Sequence, residues 1–288
     1  MTDRTHGAEA GWRARLGILV IDKDMVPEIE FQAMAPSGVS VHAARFASPR
    51  QSGSGSYGDD PAGTVANSPD IATGLDYLGR IGLDAIALCF VTGSFFGGRS
   101  FDPEFARRAA DLAHGSPVFT AAGALTSAMA ATGVTRPMLV APPWFNDAIG
   151  AHAVRYFTDA GHPPAGLVRY DLGAGWRDRE PWQVWDDNGQ QEVRADALYR
   201  QVRATVPADA DGIVVVGNGL SCIDAIEPLE QDLGLPVVTS NQAALWSGLR
   251  AAGVRAAVPG YGRLFDTVPL RPAPRANPAE ADRIAAAH

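Results

Sequence analysis

Asp84-Ala85-Ile86-Ala87-Leu88-Cys89-Phe90 recurs in altered form as Asp211-Gly212-Ile213-Val214-Val215-Val216-Gly217. In each copy an aspartate opens a short apolar run that suits a strand buried on both faces, and a glycine-containing turn follows. The echo continues downstream. Pro117-Val118-Phe119-Thr120, then Ala124-Leu125 and Gly133-Val134, is matched by Pro236-Val237-Val238-Thr239, Ala244-Leu245 and Gly253-Val254, with one added residue in the second copy. Two copies of one strand–turn–helix–strand–helix pattern imply two similarly built halves. Ligands of open parallel sheets bind beyond the carboxyl ends of the strands. The repeat therefore places a site between the halves, with Phe90 and Gly217 facing each other from equivalent turns.

Outward from the repeat, strand-like runs at Leu16–Ile21, Val39–Phe46, Ala85–Phe90, Pro137–Ala141, Gly166–Tyr170, Ile213–Val216 and Val237–Thr239 alternate with helix-length segments. This alternation predicts an α/β fold of parallel sheets with crossover helices. The expected division is a first half over 15–133, completed by 243–268, and a second half over 134–242. Residues 1–14 and 269–288 read as peripheral tails. Between the second strand and the next helix, Ala47–Asp70 is rich in Gly, Ser, Pro and Asp, with Ser52-Gly53-Ser54-Gly55-Ser56 as its most flexible part. It reads either as a lid over the cleft or as a surface insertion without function.

The chain has 288 residues, 46% of them hydrophobic, enough for two cores of moderate size. Its net charge is −8 and its basic residues are scattered, so it offers no electrostatic footprint to nucleic acid. No apolar stretch approaches the roughly 20 residues that cross a bilayer, and Met1–Ala14 lacks the apolar core of a signal peptide. The expectation is a cytoplasmic protein with a small-molecule partner, self-assembly being left open. Two cysteines, Cys89 and Cys222, make no disulfide framework. The six histidines show no metal-ligand spacing, so no metal is expected.

Candidate chemistry gathers at the strand ends. Gly217-Asn218-Gly219-Leu220-Ser221-Cys222 imitates a dinucleotide fingerprint, but Cys222 replaces the third glycine and no acidic residue ends the following strand. What remains is a turn whose amides suit a small anion such as a carboxylate. Val91-Thr92-Gly93-Ser94 supplies two hydroxyls, Thr92 and Ser94, which either cradle a developing negative charge or cap a helix. Asp22-Lys23-Asp24, followed by Glu28 and Glu30, puts acid–base groups at the end of the first strand, where a solvated charged loop is the competing account. Strand alternation turns Cys89 to the face opposite Phe90, and Cys222 falls in the first turn of a helix; neither is expected to act as a catalytic thiol.

Val237-Val238-Thr239-Ser240-Asn241-Gln242-Ala243-Ala244-Leu245-Trp246, Leu249-Arg250 and Pro259-Gly260-Tyr261-Gly262-Arg263-Leu264-Phe265 resemble the C-terminal region of arylmalonate decarboxylases and of ectoine-utilisation EutA proteins. Arg15-Leu16-Gly17-Ile18-Leu19, Asp24 with Glu28 and Phe31, and Asp84-Ala85-Ile86-Ala87 agree with the same group, and the resemblance covers roughly 15–266. By these stretches the chain is identified as a member of the aspartate/glutamate racemase superfamily, in its arylmalonate decarboxylase and maleate isomerase branch.

The resemblance implies two Rossmann-like halves related by a pseudo-twofold axis, with the active site in the cleft between them. It also implies cofactor-free proton transfer at carbon beside a carboxylate, in the isomerase or carbon–carbon lyase class. Relatives do that work with cysteines at the turn apices, which here are Phe90 and Gly217. Thr92 fits a hydroxyl position of the decarboxylases, whereas Val91 replaces a threonine and Pro143-Trp144 stands where relatives often carry a tyrosine. The expected substrate contacts are thus Phe90, Val91, Thr92, Ser94, Trp144, Gly217, Asn218 and Gly219, with Asp24, Glu28 or Lys23 moving the proton. The competing expectations are a binding or regulatory module without turnover, and a repurposed biosynthetic cyclase.

Overall fold

The computed structural model describes residues 13–51 and 53–267. The expected tails therefore lie outside the described residues, apart from Arg13 and Ala14, and so does Ser52 of the flexible loop. Ala14 already belongs to the first strand.

Among the described residues eight strands form two four-stranded sheets: β1 (Ala14–Ile21), β2 (Val39–Phe46), β3 (Ala85–Leu88), β4 (Val118–Thr120), β5 (Pro137–Ala141), β6 (Gly166–Arg169), β7 (Gly212–Val215) and β8 (Val237–Thr239). Their orders are β2-β1-β3-β4 and β6-β5-β7-β8, every pairing is parallel, and helices connect the strands. The two orders are the same order, shifted by four strands. The chain is thus an α/β protein of two Rossmann-like halves, as the repeated segments imply. The repeated aspartates do equivalent work. Asp84 accepts from the amide of Arg15 beside β1, and Asp211 accepts from the amides of Thr135 and Arg136 ahead of β5. Each ties the turn before one inner strand to the start of the strand beside it.

The halves meet through two more equivalent elements. Thr120 caps the helix Ala121–Thr132, accepting from Gly123 N, and Thr239 caps Ser240–Ala251, accepting from Gln242 N. These helices pack on each other. Their facing side chains are small, with Ala121, Ala124, Ala128, Ala243 and Ala244 all buried, so the backbones approach closely and one apolar core runs through both sheets. Ser240–Ala251 also packs against β1, β3 and the helix Val26–Met34 in the first half. The carboxyl ends of all four central strands are brought to a common cleft by this arrangement.

The segment after β2 is more ordered than its composition suggests. It contains the helix Pro61–Ala66, capped by Asp60, which accepts from Gly63 N. Its preceding stretch lies over the cleft and contributes Ser48, Arg50, Gly55 and Tyr57 to the wall described next.

Candidate active site

A cavity of about 290 Å³ opens at the strand ends between the halves. Its floor is symmetric in position and asymmetric in chemistry. Three residues past the end of β1 stands Asp24; three past the end of β5, its counterpart, stands Trp144. Two residues past β3 is Phe90, and two past β7 is Gly217. At these paired positions one half supplies a carboxyl group where the other has an indole, and an aromatic ring where the other has a glycine.

Asp24 is 2% exposed. The turn holds it by Asp24 N donating to Ile21 O and by its Oδ1 accepting from Val26 N at 3.1 Å. Burial pushes its carboxyl up to about 7, against smaller opposing effects of the Val26 amide and the Arg45 guanidinium. Both protonation states are then accessible near neutrality, as a general acid or base requires. Cys89 also lines the cavity, and burial together with the nearby Asp24 raises its thiol. The strand alternation continues through this position: Cys89 packs with Ala85 and Ala87 in one core cluster, and Phe90 with Ile86 and Leu88 in the other. The thiol is nonetheless held neutral, the reverse of what a nucleophilic thiolate needs. Cys222 is the N-terminal cap residue of the helix Ile223–Leu233, buried and apart from the cavity wall.

Phe90, Val91, Thr92, Trp144, Gly217, Asn218 and Gly219 line the same cavity as Asp24. Lys23, Glu28 and Ser94 do not. The Lys23 ammonium is spent on the carbonyls of Trp185 and Asp186, closing the end of the helix Pro181–Asp186. Glu28 is ion-paired to Arg45, whose other contacts are the carbonyls of Ile21, Asp22 and Asp24. Ser94 is fully buried and donates to Asp102 Oδ1 at 2.7 Å, beside Thr120, which donates to the same oxygen at 2.6 Å. Neighbouring hydroxyls in one helical turn point in different directions, and Thr92 alone of the two reaches the cleft.

Gly217 has φ of +101°, and a Cβ there would sit 2.9 Å from the Pro142 ring. A cysteine is excluded from this apex by both backbone strain and space. At the other apex Phe90 packs edge-on to Phe46, with ring centroids 5.8 Å apart.

Several wall residues escaped the sequence reading. Arg50, from the segment after β2, is ion-paired to Asp186 and donates to the carbonyls of Gln51 and Ser54. Trp182 and Trp185 come from the helix Pro181–Asp186 in the other half, where Glu180 and Gln183 form a capping box. Trp144 and Trp185 lie 5.3 Å apart by ring centroid. Trp182 and Trp185, spaced by three in a polar stretch, were the available signal for an amphipathic helix. Nothing in the chain links that stretch to Arg50, 136 positions away. Tyr57, tilted against Phe96 with ring centroids 5.1 Å apart, is half-buried, and desolvation pushes its phenol up to about 12.

Behind Asn218 lies a second buried carboxyl. Glu30 is 1% exposed, accepts from Cys222 N, Ile223 N and Asn241 Nδ2, and is raised by burial to about 7. Among the described residues no group of three His, Cys, Asp or Glu is placed to hold a metal ion, and no helix is long and apolar enough to cross a membrane.

The family described as arylmalonate decarboxylase matches residues 64–265. The arylmalonate decarboxylase of Bordetella bronchiseptica is 52% identical over 59 residues, which are 20% of this chain and 25% of that enzyme; the match spans only a quarter of its length. Unliganded arylmalonate decarboxylase superposes with a TM-score of 0.70 at 24% identity, over 88% of this chain and 100% of that one. The maleate isomerase of Pseudomonas putida S16, solved with maleate, gives 0.74 at 19% identity, over 88% and 98%. These two likenesses show the shared two-domain fold.

Proposed function

Because this chain belongs to the arylmalonate decarboxylase family, we propose that it is a cofactor-independent isomerase or carbon–carbon lyase that moves a proton at the carbon beside a carboxyl group of a small organic acid. Asp24 takes the part that cysteines play in relatives. The observation that carries this reading is a buried carboxyl, poised near pH 7 by burial, facing an aromatic wall in a small cleft cavity.

In a decarboxylation the bond from the substrate carbon to one carboxylate breaks and carbon dioxide leaves. The electron pair stays on carbon as an enediolate, and protonated Asp24 delivers its proton to that carbon. Water then restores the proton to Asp24. In a racemisation the ionised form of Asp24 removes the proton first and returns it after the planar enediolate has turned its other face to the acid. The enediolate is held by the amides of the Asn218-Gly219 turn and by Thr92, whose hydroxyl is not committed to Asp102 as that of Ser94 is. Trp144, Trp182, Trp185 and Phe90 make the cavity suited to a substrate with an apolar or aromatic substituent.

The test uses phenylmalonate and 2-phenylpropionate in deuterium oxide, followed by proton NMR. Loss of carbon dioxide from the first, or exchange of the α-proton of the second, is expected for the wild type and not for Asp24→Asn. Tight binding of both acids with neither reaction would establish a binding module instead. Unchanged turnover in Asp24→Asn would remove Asp24 from the chemistry.

A further inference from the structure

The cavity wall at Asn218 has a polarity that a buried network dictates. The chain of contacts begins at Glu30, whose carboxylate receives the amides of Cys222 at 2.7 Å and Ile223 at 3.2 Å on Oε1. Its Oε2 receives Asn241 Nδ2 at 2.6 Å. The same Nδ2 donates to the backbone carbonyl of Asn218 at 2.9 Å. The backbone carbonyl can only accept, as does Glu30 when ionised, so the Asn241 amide has one admissible orientation. Its Oδ1 therefore faces Asn218, and Asn218 Nδ2 donates to it at 2.8 Å. The donor corner of the Asn218 carboxamide is thereby committed to Asn241. Its acceptor corner, Oδ1, is itself buried and has no hydrogen-bond partner among the described residues, in a side chain that lines the cavity.

We infer that Asn218 is a specificity-determining residue that offers the ligand a hydrogen-bond acceptor, so that the cavity selects acids bearing a hydroxyl or N–H group at this point over those bearing an ether, carbonyl or carboxylate oxygen. Glu30 and Asn241 are the positioning residues that set this choice. A buried acceptor without a partner in the free protein gains one from a donor ligand, whereas an acceptor ligand meets it oxygen to oxygen. It follows that the carboxylate of the substrate rests on the turn amides and Thr92 and not on the Asn218 side chain. The inference rests on the reading of the cavity as an acid site, and it adds the polarity of one contact within it.

Glu30→Gln supplies a sharp consequence. The introduced glutamine can keep the two backbone amides on its carbonyl oxygen only by turning its amide nitrogen toward Asn241. That nitrogen then meets Asn241 Nδ2, which the backbone carbonyl of Asn218 still holds in place, so the network loses a hydrogen bond and fixes Asn218 less firmly. The preference for a donor ligand should then weaken.

The experiment has two arms, both at about pH 8.5, where Glu30 is ionised. In the free wild-type protein, NMR should detect a scalar coupling across the hydrogen bond from Asn218 Nδ2 to the Asn241 side-chain carbonyl. In the second arm, calorimetry compares mandelate with its O-methyl ether, 2-methoxyphenylacetate. Wild type is expected to favour mandelate by about tenfold or more, and Glu30→Gln to show a smaller preference. Absence of the coupling in wild type, or equal affinities for the two acids, overturns the inference, even if Glu30→Gln fails to fold. If neither acid binds, the reading of the cavity as an acid site fails, and the coupling alone decides the orientation of Asn218.

Discussion

A Cβ placed on Gly219 would lie 3.0 Å from Asp24 Oδ2, so the acid of one half and the glycine turn of the other face each other across the cleft with no room for a methyl group. The same atom would meet Trp185 Cζ3 at 3.0 Å and Trp144 Cζ2 at 3.2 Å. Gly219→Ala should therefore press on the acid and on both indoles at once. Overpacking of this kind costs about 1–3 kcal/mol. Thermal unfolding should register a loss at the lower end of that range, because the side chains border an open cavity. Turnover should fall by about tenfold or more, since the displaced group is the proposed proton carrier. Normal turnover in a variant with wild-type melting would mean that Asp24 and the turn do not share a substrate.

The buried carboxyl of Asp24 also links stability to pH. Its folded value of about 7 stands above the ordinary 3.8, so between these values the folded state holds a proton that the unfolded state has lost. The contribution is fully present below 3.8 and is lost as pH rises through about 7. One such proton gives a slope of about 1.4 kcal/mol per pH unit. Denaturant titrations of wild type and Asp24→Asn should diverge across this window, with the variant gaining relative stability toward pH 8. Glu30, raised in the same direction, leaves a residual slope in the variant. Parallel curves would place Asp24 in a more hydrated setting.

Ser94 and Thr92 separate structure from function within one helical turn. Ser94→Ala removes a donor to Asp102, which also binds Thr120 and Tyr156, and should lower stability by about 1 kcal/mol with KM and kcat little changed. Thr92→Val keeps shape and removes only the hydroxyl that borders the cavity. Its kcat/KM should fall about tenfold at nearly normal stability. Steady-state kinetics beside melting curves would show a reversed pattern if Ser94 were the ligand contact.

Cys89 borders the cavity, yet burial and Asp24 keep its thiol protonated. Cys89→Ala is expected to retain turnover within about tenfold and to lose on the order of 1 kcal/mol of stability from a small void. Loss of more than a hundredfold in a well-folded variant would return the proton transfer to sulfur.

The architecture is legible in the amino-acid chain alone, because the information lies in short-range pattern. The paired segments from Asp84 and Asp211, the threonines ahead of two alanine-rich helices and the glycines that close them each act within a few residues of themselves. The same locality put Asp24, Phe90, Thr92, Trp144 and Asn218 at strand ends, and strand ends of parallel sheets converge. Which polar groups at those ends are free was settled by tertiary packing. Lys23, Glu28 and Ser94 carry suitable chemistry but are claimed by carbonyls of the other half, by Arg45 and by Asp102, partners that no local pattern reveals. The same holds for Arg50 with Asp186, and for Glu30, whose grip on Asn241 fixes the face that Asn218 turns to the cleft. A buried hydrogen bond is settled by which distant groups are excluded from water together, and that depends on how the two halves close on each other.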